Sequence, residues 1–224
     1  MGVLEQFPAA WRFLLENQDK FFELLSQHLQ LVLISELLAI LVAVPAGILA
    51  TRNPRLKGYI LGVGNVAQSI PTLAIIFLVF PILGLGFNTA LVGLFTYAVL
   101  PILTNTIAGI EDVDESAVEA ARGMGMTDAE ILRKIQLPMA LSVIFAGIRT
   151  SSVINVGTAY LAFFIGGGGL GLWVITGINL YNMPQVVAGA IPGALLAITM
   201  DSAFALVEKR LGGEGLQHAD AAGA

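Results

Sequence analysis

Cysteine is absent from the 224 residues, which excludes disulfides, thiolate metal sites and cysteine nucleophiles. Histidine is nearly absent too. His28 and His218 lie far apart in the chain, and no metal site is expected from them. Charge is also scarce, at 12% of residues. The acidic excess that sets the net charge of −5 is spread over termini and loops, so it implies no cationic partner. No basic face of the kind that binds nucleic acid is present. Also missing is Gly-x-x-x-x-Gly-Lys-Ser/Thr, whose lysine and hydroxyl hold phosphates and magnesium. The glycine-rich run 166–171 lacks that lysine. The chain therefore has no nucleotide site, no cofactor and no catalytic set of its own in this reading.

What fills the chain instead is hydrocarbon, with 56% hydrophobic residues. That excess over soluble proteins, with so little charge, belongs in a bilayer. Spans need about 20 apolar residues, and five such runs are found, at 29–50, 59–80, 88–110, 141–165 and 186–207. The expected fold is an all-α polytopic membrane protein. Ahead of the first run, residues 1–28 mix Trp11, Phe13 and Leu14 with Glu5, Arg12 and Asp19. They lack the basic start and cleavage site of a signal peptide and are assigned to an interfacial segment. Residues 172–180 are too short to cross and are placed at the outer surface or as a re-entrant piece. Residues 212–224 are small and polar and are expected to form a flexible tail.

Most basic residues fall on one side of this five-span arrangement: Arg52, Arg55 and Lys57, then Arg122, Arg133 and Lys134, then Lys209 and Arg210, while the opposite side has only Arg12 and Lys20. Because positive loops stay cytoplasmic, the N-terminus is expected outside and the C-terminus inside. The longest charged island, within 111–138, then faces the cytoplasm. Its local chemistry predicts two short helices. Asp114 or Ser116 caps the first, Gly123 and Gly125 end it, and Thr127 with Glu130 has the spacing of a capping box for the second. Pro138 marks the next boundary.

Within that island, Glu119-Ala120-Ala121, then Gly125 after three residues, then Ile135 after nine, then Leu137-Pro138 resemble the EAA loop of the membrane subunits of ATP-binding-cassette importers. The resemblance implies a type I importer permease fold over 29–211, in which the loop docks on a cytoplasmic ATPase. It also implies partners: two ATPase subunits carrying ATP and magnesium, a second permease chain identical or similar to this one, and an extracytoplasmic solute-binding protein. The location would be a bacterial inner membrane. Segments 68–74, 95–110 and 188–193 further resemble the glycine betaine/carnitine/choline permeases of osmoprotectant uptake. Permeases for methionine, other amino acids or sulfonates share the loop and stay open as alternatives. From a different class, so do an ATPase-independent secondary transporter and a membrane scaffold without transport, although no clear internal repeat supports the former.

Ionisable groups inside spans cost several kcal/mol unless paired or hydrated. Arg149 and Asp201 fall at similar depth and are predicted to pair. Glu36 has no partner visible in the sequence, and is expected to snorkel outward or face a wet cavity. Gln68, Ser69 and Thr72 are spaced near one turn beside Pro71 and are predicted to line a pathway from a shared helix face. Asn155 and Thr158 would supply the facing wall. Tyr97 and Tyr160 are the intramembrane tyrosines available for cation–π contact, and Tyr97 joins the pathway set. Gly166, Gly167, Gly168 and Gly169 are either a plain turn or an outer gate.

Overall fold

The computed structural model describes residues 6–222, and the side chains of 211–222 lie outside the description, as do both ends of the chain at 1–5 and 223–224. The described residues are helical, with no strand among them. An amphipathic helix α1 (Gln6–Glu16) leads through Asn17 into α2 (Gln18–Arg52). The expected division at residue 28 therefore falls inside α2, whose first three turns belonged to the interfacial segment in the sequence reading. Asn53 then accepts hydrogen bonds from the backbone N–H groups of Arg55 and Leu56, and Pro54 follows at the first helical position. This Asn-Pro start caps α3 (Pro54–Ser69) as closely behind α2 as the chain allows.

The second predicted span is not one helix. α3 stops at Ser69, Ile70 is extended, and α4 (Thr72–Leu83) leaves at 95° to α3. Pro71 explains the break: its ring disfavours helical backbone at Ile70 and it has no N–H to continue the ladder. The Tyr97 hydroxyl, from α5 (Phe87–Glu111), donates to the Ile70 carbonyl at 2.7 Å and lies 3.4 Å from that of Gln68. It satisfies carbonyls that the break leaves without helical partners.

Four helical stretches are individually long and apolar enough to cross a membrane, and the bent pair makes five. Contacts between helix ends show that the pair does carry the chain from one end of the bundle to the other. Lys57, at the start of α3, bonds Glu111, at the end of α5. At the other end, the Gly86 N–H following α4 donates to the Ile165 carbonyl. After α5 come α6 (Glu115–Gly123), α7 (Asp128–Ile131), a π-helical turn (Leu132–Gln136), α8 (Leu137–Thr158) and a 3₁₀ stretch (Ala159–Ile165). A short α9 (Gly171–Asn179) occupies the segment judged too short to cross, and α10 (Met183–Ala222) closes the fold. The α10 backbone stays helical to Ala222, through residues assigned to a flexible tail.

The core is built where α2, α5 and α8 meet, through Ala39, Ala43, Ala50, Ala98, Ile102, Leu103, Ala140 and Ile144. Lipid offers no hydrophobic drive for helices to associate, so close backbone approach through small residues takes over. Gly47 and Gly147 show how close: an added Cβ would lie 2.7 Å from Thr106 Cγ2 and 2.6 Å from Asn105 Cβ. Leu33, Leu37, Leu41 and Leu49 cover the outward side of α2. α1 lies over α9 and α10, with Phe13 edge-on to Trp173 at 5.1 Å between ring centroids.

Tyr97→Phe removes the donor at the break and leaves the Ile70 carbonyl without it. A cost of about 1–3 kcal/mol is expected for such a group, read as a lower unfolding temperature of the purified protein. Tyr59→Phe, at a hydroxyl on a 77% exposed side chain of α3, should leave that temperature unchanged.

Candidate functional site

The charged loop between α5 and α8 folds as its caps dictate. The Asp114 carboxylate accepts from Ser116 N–H at 2.8 Å and starts α6. At the other end, Gly125 N–H donates to the Arg122 carbonyl and Met126 N–H to that of Ala121, with Gly125 left-handed at φ +82°. This is a Schellman motif with Gly125 at its left-handed position. Gly123 is simply the last helical residue, so of the two glycines expected to stop the helix only Gly125 does so by its conformation. Thr127 and Glu130 form the capping box of α7 in both directions. The Thr127 backbone N–H, aided by Lys134, holds the Glu130 carboxyl at about 2, well below the usual carboxylate range. Pro138 has no N–H, and just ahead of it the ladder widens to i→i+5 bonds, with Leu137 N–H going to the Leu132 carbonyl. α7, the π-helical turn, α8 and the 3₁₀ stretch thus form an unbroken helical run from 128 to 165.

The loop has two faces. Ala121 and Ile131 are buried, and Ile135 and Leu137 are half-buried where the loop joins the bundle. Glu119, Ala120, Gly125 and Pro138 are exposed. Between them stands Met124, 73% exposed, an apolar knob at the loop tip that the sequence reading passed over. Its signal was available: a large flexible side chain beside a glycine in an otherwise charged segment.

Inside the bundle, the six residues assigned to a pathway are not brought together. The α3–α4 break separates Gln68 and Ser69 from Thr72, which is buried beside Gly93 of α5. The predicted shared face required a continuous helix that Pro71 prevents. Ser69 is exposed with its hydroxyl on the Val66 carbonyl, and Gln68 is half-buried. Tyr97 holds the break, and Thr158 donates to the Ile154 carbonyl of its own helix. Asn155 is fully enclosed and donates to Glu36 Oε2 at 2.8 Å and to Ser35 Oγ at 3.2 Å.

Glu36 neither snorkels nor faces water. It is 3% exposed, and Ser151 of α8 lies 3.1 Å from its Oε2. Arg149 and Asp201 are in contact: the guanidinium donates from Nε to Oδ1 and from Nη2 to Oδ2, the latter at 3.0 Å. Glu208 stands 3.8 Å from Nη1. All three line a cavity of about 440 Å³ between α8 and α10.

The glycine-rich turn is clamped. Gly166, Gly168 and Gly169 are left-handed, and Gly167 is packed against Ala90 and Ala162. Gln27 Oε1 accepts from Gly169 N–H at 3.0 Å, and His28 Nδ1 from Leu170 N–H at 3.3 Å. His28 Nε2 lies 3.1 Å from the Val156 carbonyl, so the ring joins α2, α8 and the turn. From the sequence alone His28 falls ahead of the first apolar run, and no role is expected of it.

Residues 43–213 match the family model described as the inner membrane component of binding-protein-dependent transport systems. The chain belongs to that family. Among its relatives is the choline transport system permease protein OpuBB of Bacillus subtilis (strain 168), 44% identical over 92% of this chain and 95% of that one. The glycine betaine/carnitine/choline transport system permease protein OpuCB of the same organism is 42% identical over 92% and 94%. Among solved structures, an inward-facing MetNI methionine transporter matches with TM-score 0.79 at 21% identity, covering 85% of this chain and 95% of its own. That match shows the fold, which is the type I importer permease fold.

Gly125 is the residue on which the loop's shape turns, since an added Cβ there would meet no neighbour and only the left-handed backbone resists it. Gly125→Ala should cost about 1–2 kcal/mol and speed amide hydrogen exchange across residues 121–126 by about 5–30-fold. Gly123→Ala, at a helical position with open space around it, should slow exchange instead.

Proposed function

We propose that this permease translocates a small quaternary-ammonium osmoprotectant, such as choline, carnitine or glycine betaine, in a bacterial inner membrane. The observation that carries the substrate class is the 44% identity to a choline permease across 92% of the chain. Two ATPase subunits bind ATP and magnesium on the cytoplasmic side and supply the movement. A second permease chain completes the pore, and a solute-binding protein delivers from outside. The basic end of the bundle, with Arg52, Lys57 and the loop, is the cytoplasmic one, so the N-terminus lies outside.

In this reading Glu119, Ala120, Met124 and Gly125 form the surface that meets the ATPase, and Ala121, Ile131, Ile135, Leu137 and Pro138 fix it to the bundle. Movement of the loop reaches the membrane directly, because α7, the π-helical turn, α8 and the 3₁₀ stretch are one helical run. The polar side chains at the α3–α4 break, half-buried Gln68 and exposed Ser69, are retained as pathway candidates. Thr72, Tyr97, Asn155 and Thr158 serve packing. Gly166 to Gly169 form a closed outer turn rather than a loose gate.

Selection among the solutes is assigned to the binding protein. Tyr97 and Tyr160, the two tyrosines expected to offer a face to a quaternary ammonium, are both half-buried and fixed in the packing by hydroxyl bonds to the backbone carbonyls of Ile70 and Gly189 respectively. The Tyr160 ring also stacks edge-on against His28 at 4.9 Å.

The test is uptake of labelled glycine betaine into vesicles holding the whole complex, with ATP inside and with choline, carnitine and methionine as competitors. Competition by choline or carnitine, and loss of uptake in Gly125→Asp, are expected. Uptake of methionine but not betaine would overturn the substrate class, and uptake indifferent to ATP would overturn the coupling.

A further inference from the structure

The contact between Glu36 and Asn155 is unlike the other polar contacts of the bundle. It lies in the core between α2, α5 and α8, and no charged group among the described residues touches it. Glu36 meets Ser151 and Asn155, Asn155 also meets Ser35, and Ser151 also meets the Ala98 carbonyl. The nearest candidates for a counter-charge are committed elsewhere. Arg149, two turns before Asn155 on α8, is bound by Asp201 and approached by Glu208. His28, two turns before Glu36 on α2, uses both ring nitrogens on Val156 and Leu170. A carboxylate left ionised there would be an unpartnered charge in a low-dielectric interior, among the costliest states a buried group can adopt.

The hydrogen-bond accounting points to what neutralises it. Glu36 Oε2 already accepts from Asn155 Nδ2 at 2.8 Å, with the Ser151 hydroxyl 3.1 Å away. Two buried oxygens of the same pair have no partner, Glu36 Oε1 and Asn155 Oδ1. These are the two atoms that a single proton on Glu36 would join, closing a cyclic pair in which acid and amide each donate once and accept once. We infer that Glu36 is a proton-binding site within the bundle, a neutral carboxylic acid whose Oε1–H donates to Asn155 Oδ1 and fastens α2 to α8. A bound metal cation fits the cluster less well, because the Asn155 amide hydrogens already point into it and would face the ion.

Glu36 acts here as a positioning residue, so its test needs a signal that packing alone does not produce. Infrared difference spectra of the lipid-reconstituted complex at neutral pH, wild type against Glu36→Gln, should show loss of a carboxylic-acid C=O band with no loss of carboxylate bands. That band should shift in deuterated water. Asn155→Ala, which leaves Glu36 in place, should keep the acid band but move it, because the acid loses its amide partner. Loss of carboxylate bands instead, in Glu36→Gln, would overturn the inference. So would a carboxylate signal in the wild type that appears only with sodium present, which would make the site a cation site. An acid band unmoved by Asn155→Ala would overturn the pairing.

Discussion

Hydrocarbon supplies no hydrogen bonds, and this one constraint governs where the chain can depart from a straight helix. An unpaired backbone group in a bilayer core costs several kcal/mol, so each irregular stretch of this fold has a side chain assigned to it. The break at Ile70–Pro71 is held by the Tyr97 hydroxyl. The carbonyl of Gly84, after α4, accepts from the Thr89 hydroxyl at 2.6 Å. At the glycine-rich turn, Gln27 and His28 take up two N–H groups in succession. Thr89 is a local clamp, but Tyr97, Gln27 and His28 reach in from other helices, so there a local irregularity also becomes a tertiary link.

The charged loop between α5 and α8 obeys the opposite rule because it lies outside the apolar runs. There the helix ends can be closed locally, by Asp114 on Ser116, by Thr127 and Glu130 on one another, and by the Schellman bonds around Gly125. Its surface ion pairs, Arg122 with Asp128 and Lys134 with Glu130, are exposed and add little. The loop's shape therefore rests on short-range geometry, which leaves Glu119, Ala120 and Met124 free on its outer face. The join to the membrane is the π-helical turn before Pro138, which keeps the chain helical from the loop into the core. A displacement at the loop enters α8 with no flexible linker between.

This difference explains which features could be read from the sequence. The caps of α6 and α7, the role of Gly125 and the loop's likeness to importer permeases all depend on residues within a few positions of each other. The five-span count was legible because it needs only apolar length, and the Arg149–Asp201 contact because both residues could be placed by depth. The bend at Pro71 was not, since hydropathy records length and carries no direction. Assuming a continuous helix put Thr72 on a face with Gln68, whereas the break turns it inward against Gly93. His28 and Glu36 were equally opaque: each looked like a lone polar group in or beside an apolar run. Their partners, Leu170 and Asn155, lie more than a hundred residues away.

Two of the polar links that α8 makes to its neighbours, Arg149 with Asp201 and Asn155 with Glu36, differ in what breaking them would expose. Arg149 and Asp201 are each about 40% exposed beside a cavity, so this link is open on one side. Parting Glu36 from Asn155 would leave donors and acceptors dry, with no solvent to replace either partner. Small residues tighten the same side of the bundle, since Gly47, Gly109 and Gly147 bring α5 into near-backbone contact with both α2 and α8, and sliding such surfaces forfeits many van der Waals contacts at once. The link from α8 to α2 is thus the drier of the two, and the one whose loss nothing nearby can make good.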